Sequence, residues 1–279
     1  MPGVRDSNIR SGDLHEGFGL ELIRPFAFVA PVPRPEDIGF DAVATLLHEE
    51  GRRLYAEESF LVQVKSSSVR RLDYAHAPLS WLKALQLPLF ILSVNLARAT
   101  LELYTLAHAT RRPNFRDRKR VSLFLDSRTF RLEGDQMEVW LGPPILCWTP
   151  ADAATAKFRS QAYHVLKAWL TCENESIALR SIGMTKPMEE WKTNEIPCQS
   201  SIEVTLQDRG ELPEVLKKLK PIIRRLMAPA FDLNEETNDL AIGLLLVFQY
   251  MRRQGVDPDP RNLLRCMVEH RLLQENQRS

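Results

Sequence analysis

Six consecutive residues, Phe60-Leu61-Val62-Gln63-Val64-Lys65, constrain this chain more than any other stretch. Three of them are β-branched or aromatic, and on an extended backbone successive side chains point to opposite faces. Phe60, Val62 and Val64 therefore share one face, while Leu61, Gln63 and Lys65 share the other. A wholly apolar strand face has to be covered by another layer, so the chain must build a sheet with something packed upon it. The opposite face ends in two polar side chains two residues apart, which emerge together.

The flanking sequence supplies the rest of the sheet. Phe40 to Leu47 is a second extended run, and the polar, glycine-containing segment His48-Glu49-Glu50-Gly51-Arg52 predicts a turn into a return run over Ser59 to Lys65. Upstream, Leu14, Phe18, Leu22 and Ile23 predict a helix over Gly12 to Arg24 that Pro25 ends. Phe26 to Ala30 reads as a short strand, followed by the rigid connector Pro31-Val32-Pro33-Arg34-Pro35. Downstream, a helix over Ser80 to Gln86 precedes strands at Pro88 to Val94 and Thr100 to Leu106, joined by the turn Asn95-Leu96-Ala97-Arg98. The expected order is α-β-β-β-α-β-β.

Beyond it, Arg111 to Arg120 is a basic run with six basic residues and one acidic. Short extended runs follow at Val121 to Leu125 and Met137 to Leu141, and prolines bracket Ile145-Leu146-Cys147-Trp148. Phe158, Ala162, Val165, Leu166 and Trp169 stand at helical spacing within Ala151 to Leu179. Three more helices are expected at Glu214 to Leu226, Glu235 to Arg253 and Arg261 to Gln274. The fold class is thus α/β, a mixed sheet flanked by helices, followed by a mostly α-helical C-terminal region. The expected division is an α/β domain over 10–108, a basic linker with short strands over 109–150, and the helical region over 151–279.

Composition excludes several classes. Lys plus Arg (37) nearly balances Asp plus Glu (36), so any nucleic-acid contact must come from a local patch. The four cysteines, Cys147, Cys172, Cys198 and Cys266, form no CxxC pair and are too few for a secreted disulfide scaffold. The N-terminus lacks the apolar core of a signal peptide, and the apolar runs fall short of the ~20 residues of a membrane span. The expectation is a cytoplasmic protein with no membrane partner. The six histidines make no HExxH-type pattern, and Gly17-Phe18-Gly19 is not a phosphate-cradling loop.

One constellation carries chemistry. Asp41 opens the first strand of the hairpin, and Gln63 and Lys65 share a face of the second; a hairpin sets the ends of its strands side by side. Metal-assisted phosphodiester hydrolysis needs oxygen ligands for a hard cation and a group that acts on the attacking water and on the charge at phosphorus. Those residue types at that spacing can supply both. Beyond Lys65 stand Ser66, Ser67, Arg70 and Arg71, residue types that contact phosphate, and Arg116 and Lys119 in the basic run are further candidates. Basic loops between domains are also frequent without any ligand, and here Glu235 and Glu236 are available as acidic partners.

Gly39-Phe40-Asp41, followed by Val62-Gln63-Val64-Lys65-Ser66, resembles the D…(E/Q)xK core of the PD-(D/E)XK nuclease superfamily, in the Gln version of the Mrr-type restriction endonucleases and of a group of bacterial nuclease-like domains. Gly12-Asp13-Leu14-His15-Glu16 resembles the family's helical Glu. The likeness covers roughly residues 10–108 and leaves the C-terminal half unexplained. It implies a restriction-endonuclease-like fold and a Mg²⁺-dependent nuclease acting on DNA, with Mn²⁺ as a substitute metal, in restriction or anti-phage defence. By that resemblance Asp41, Gln63 and the Val64 carbonyl hold the metal, Lys65 contacts phosphate or water, and Glu16 completes the shell. The helical region would recognise DNA, dimerise or bind a partner protein. Gln63 departs from the usual Glu by one charge, so the site should bind Mg²⁺ more weakly. The alternative is a catalytically inactive module of the same fold that binds nucleic acid or a partner protein.

Overall fold

The computed structural model describes residues 7–33, 39–112, 115–181, 184–186, 188–197 and 205–206. The chain divides into two compact units, Met1–Arg180 with Met184–Thr205, and Ser181–Gly183 with Leu206–Ser279; the first is described below. The helices expected at 214–226, 235–253 and 261–274 lie outside the described residues.

Helix α1 (Ser7–Glu21) leads into a meander of β1 (Ala27–Pro31), β2 (Ala42–Glu50) and β3 (Arg53–Ser66). Next come β4 (Arg71–Ala75), α2 (His76–Ala84), β5 (Leu89–Asn95), β6 (Thr100–Thr105) and α3 (Ala107–Thr110). Strands β7 (Arg120–Phe124), β8 (Phe130–Glu133), β9 (Gln136–Trp140) and β10 (Leu146–Trp148) follow, then α4 (Pro150–Ala153), α5 (Ala156–Ser181), β11 (Met184–Thr185) and β12 (Thr205–Leu206). The chain is α/β with two mixed sheets, one of six strands in the order β1-β2-β3-β5-β6-β10 and one of four in the order β4-β7-β9-β8.

The larger sheet is the middle layer. β3 and β5 run parallel with α2 in the crossover, and β5 is apolar for six residues except Ser93, as suits a strand buried on both faces. One face carries Phe60, Val62, Val64, Phe90, Leu92, Leu101 and Leu103 against Leu20 and Ile23 beside α1 and Val165, Leu166 and Trp169 of α5. Gly19 lets α1 approach closely, because a Cβ there would stand 2.9 Å from Leu92 Cδ2 and 3.0 Å from Val94 Cγ2. The other face carries Leu61, Leu89, Ile91 and Tyr104 against Leu79 and Leu82 of α2 and the inner face of the four-stranded sheet (Leu72, Tyr74, Val121, Leu123, Met137, Val139). Among the described residues, no helix is long and apolar enough to cross a membrane.

The structure departs from the expected order in three ways. β4, absent from the expected order, pairs with β7 and founds the second sheet. The 109–150 stretch supplies β7 to β10, and β10 adds antiparallel to β6 at the edge of the first sheet. The hairpin is longer than expected, with only Gly51 and Arg52 between the strands. Between Thr45↔Ser59 and Leu47↔Ala56 the register slips: Leu46 faces both Glu57 and Glu58, a β-bulge. The bulge lets two consecutive carboxylates meet one cation, since Lys167 Nζ of α5 donates to Glu57 (2.9 Å) and Glu58 (2.7 Å).

Candidate functional site

The site forms where β2 begins. Ala42 pairs with Val62, and Asp41, the residue just before β2, sits at the same end of the hairpin as Gln63. Asp41 N–H donates to the Val62 carbonyl at 2.8 Å. Its carboxylate then accepts from Val64 N–H at 2.6 Å. A side chain thus takes the place of the next rung of the ladder and holds a negative charge between Gln63 and Lys65. In a sheet, the N–H and C=O of one residue point to the same flank, so the Val64 carbonyl also faces the side past the end of β2 where Asp41 sits.

Gln63 is fixed at both ends. Its Nε2 donates to the Gly39 carbonyl at 2.9 Å, and its Oε1 accepts from Tyr74 O–H at 2.9 Å. Gly39 has φ of 109°, which only glycine adopts without strain, and a Cβ there would meet the Trp81 ring at 3.1 Å. The same indole stacks on Phe40 with ring centroids 6.4 Å apart. α2 therefore props the Gly39-Phe40-Asp41 segment against β3. Burial pushes the Tyr74 phenol up to about 12, so it stays a hydrogen-bond donor at neutral pH.

Lys65 is half-buried, and among the described residues its ammonium forms no ion pair. Across the sheet it lies in one row with Ser93, Glu102 and Cys147. The Glu102 carboxylate accepts from Tyr104 O–H at 2.9 Å, and burial first, then Glu102, holds that phenol well above its ordinary value. The sequence analysis missed Tyr74, Trp81 and Glu102. Tyr74 and Glu102 occupy regular strand positions that a search confined to the motif's own strands passes over.

The remaining candidates are dispersed. Glu16 stands on α1, which packs on the opposite face, and lines a cleft of about 220 Å³ with Asp13, Arg24 and Pro31. Ser66 and Ser68 hydroxyls bond each other at 3.0 Å, and Ser67 N–H donates to the Val94 carbonyl, extending the β3–β5 pairing. Arg70 pairs with Asp126 at 3.6 Å. Arg71 is held by Asp73 (2.8 Å), Ser122 (3.1 Å) and the ring of Phe124. Lys119 pairs with Asp135 at 2.6 Å, and the Arg116 carbonyl accepts from Lys83. The basic run is therefore not one patch: Arg111 is buried, and Arg112 covers the Phe130 ring. Trp148, Trp169 and Trp191 are buried.

As a metal site the donors are hard oxygens: the Asp41 carboxylate, Gln63 Oε1 and the Val64 carbonyl. That set suits Mg²⁺, which commonly takes one or two carboxylates and keeps several waters. Among the described residues, no group of three His, Cys, Asp or Glu side chains is placed to hold a metal, and a cation at these donors would have the Asp41 carboxylate as its charged ligand.

Compared with protein-family models, curated proteins and solved structures, the chain matches none.

Proposed function

We propose that this chain is a metal-dependent nuclease of the PD-(D/E)XK type that hydrolyses DNA phosphodiester bonds, in the setting of restriction or anti-phage defence. The observation that supports it is the 2.6 Å bond from Val64 N–H to Asp41, which sets the carboxylate beside the Gln63 and Lys65 positions at one end of the sheet. Asp41, Gln63 and the Val64 carbonyl would hold Mg²⁺, which would supply Lewis acidity toward a phosphoryl oxygen. The chain does the rest. Val64 N–H fixes the orientation of the Asp41 carboxylate, and Tyr74 fixes that of the Gln63 amide. The Lys65 ammonium donates to a non-bridging phosphate oxygen, offsetting negative charge on the phosphate oxygens as a water oxygen bonds to phosphorus and loses its proton to solvent, while the bond to the leaving oxygen breaks and that oxygen takes up a proton.

A second reading has its own support: with Gly39 and Tyr74 engaging both ends of its amide, Gln63 acts as a structural clamp in an inactive module that binds nucleic acid or a partner protein. Purified protein incubated with plasmid and linear DNA in Mg²⁺, Mn²⁺ or EDTA separates the two. The nuclease reading expects divalent-dependent cleavage that is lost in Asp41→Asn and in Lys65→Ala. Equal cleavage by wild type and both variants, or DNA binding without cleavage in either metal, refutes it.

A further inference from the structure

Away from Asp41, the interface of α3 and α5 buries more positive charge than negative. Arg111 (5% exposed) and Arg180 (8%) are cations, and Glu173 (4%) is the carboxylate buried with them. Arg111 Nη2 donates to the Cys172 carbonyl and, at 2.9 Å, to its Sγ. Arg180 Nη1 donates to Ser176 Oγ at 3.2 Å, and Glu173 accepts from Thr105 Oγ1. Cys172 and Ser176 lie four residues apart on α5, so the two guanidinium groups attach to the helix about 6 Å apart along its axis. Burial holds the Arg180 pKa below its ordinary value, with Arg111 adding to the effect and Glu173 opposing it.

The donors there outnumber the acceptors. Among the described residues, buried Arg111 Nε has no hydrogen-bond partner, and neither has Thr185 Oγ1, on a residue 2% exposed. After α5, Lys186 reaches Glu175 at 3.1 Å and Met188 lies beside Cys172, so the segment that carries Thr185, strand β11 paired with β12, runs beside the Cys172–Glu175 turn of the helix. Among the described residues, two buried guanidinium groups stand against one buried carboxylate, a charge of +1, and an uncompensated buried charge is costly.

We propose that Arg111, Arg180 and Thr185 form a binding site for a small oxyanion of the phosphate class. Planar guanidinium forks match phosphate oxygens in pairs, and a tetrahedral anion has enough oxygens to serve two such groups and a hydroxyl together, which a carboxylate does not. The site is separate from the Asp41 end of the sheet and does not depend on the nuclease reading.

The test uses the full chain, with calorimetric titration and thermal unfolding in inorganic phosphate, acetate or chloride at matched ionic strength. Phosphate should bind saturably and raise the unfolding midpoint as its concentration rises, while acetate and chloride should not. Arg180→Gln and Thr185→Val should each weaken phosphate binding roughly tenfold or more, as loss of a hydrogen bond to a charged group does. Should Arg180→Gln fail to fold, Thr185→Val, nearly isosteric, carries the test. The proposal is overturned by no phosphate-specific response, by an unchanged response in folded Thr185→Val, or by acetate equalling phosphate.

Discussion

Tyr74→Phe removes one oxygen and tests how Gln63 is held. At neutral pH the substitution should cost about 1 kcal/mol, because the Gln63 carbonyl oxygen loses a part-buried hydrogen bond at 2.9 Å. Raising the pH should erase that difference. Tyr74 titrates near 12 in the folded protein because it is buried, and near ~10 when unfolded. Between those values the native state binds more protons than the unfolded one, so the phenol's contribution is complete below pH ~10 and falls as the pH rises toward 12. At pH 11 the unfolded phenol is mostly ionised and the folded one is not, a loss of roughly 1.4 kcal/mol for wild type alone. Urea unfolding of both proteins at pH 7, 9 and 11 should therefore give a gap of about 1 kcal/mol that closes by pH 11. Tyr104 is present in both and cancels. A gap that stays constant between pH 7 and pH 11 would refute the buried phenol, and no gap at pH 7 would refute its bond to Gln63.

Other substitutions probe the same architecture. Gln63→Glu faces the Gly39 carbonyl with an acceptor instead of a donor, so in EDTA it should lose about 1–3 kcal/mol by chemical denaturation; under the nuclease reading it should also halve or further lower the Mg²⁺ needed for half-maximal cleavage, and an unchanged Mg²⁺ requirement counts against that reading. Gly19→Ala should destabilise by about 1 kcal/mol, since overpacking against Leu92 and Val94 exceeds the gain in helix propensity; a more stable variant would contradict the close approach of α1. Lys167→Met leaves Glu57 and Glu58 adjacent without their cation and should cost on the order of 1 kcal/mol at pH 7, discounted for partial exposure. Because the Lys167 hydrogen bond holds the Glu57 pKa below 4.5, that contribution exists above pH ~4.5 and disappears as the pH falls through the folded value; the gap between wild type and variant should shrink in acid.

The parts of the fold legible in the sequence are those whose signal is local. The alternation over Phe60–Lys65 placed β3 and its two faces, and the apolar run at Pro88 to Val94 placed β5, because period and length alone distinguish such segments. β4 was not legible: Arg71-Leu72-Asp73-Tyr74 is too short to show a period, and what makes it a strand is its pairing with β7, some 50 residues on. β8, exposed along its whole length, has no burial pattern to read. At the site, the shared face of Gln63 and Lys65 on β3 followed from strand alternation, whereas Tyr74 reaches Gln63 from the other sheet. Arg111 looked like one more surface cation in a basic run, and only the burial of α5 against α3 gives it another place.

The bulge at Glu57 and Glu58 divides the β2–β3 hairpin into two segments with independent alignment. Between it and the chain's Asp41 end, Ala42 to Thr45 are locked to Ser59 to Val62, and a shift of one residue would turn Gln63 and Lys65 to the helix-covered face. On the far side, Leu47 to Glu50 and Arg53 to Ala56 ride on the turn at Gly51. A residue gained or lost at that tip can be taken up at the bulge, where the count of facing residues is already unequal. The hairpin can therefore vary in length at its outer end over evolution while the spacing between Asp41 and its partners stays fixed.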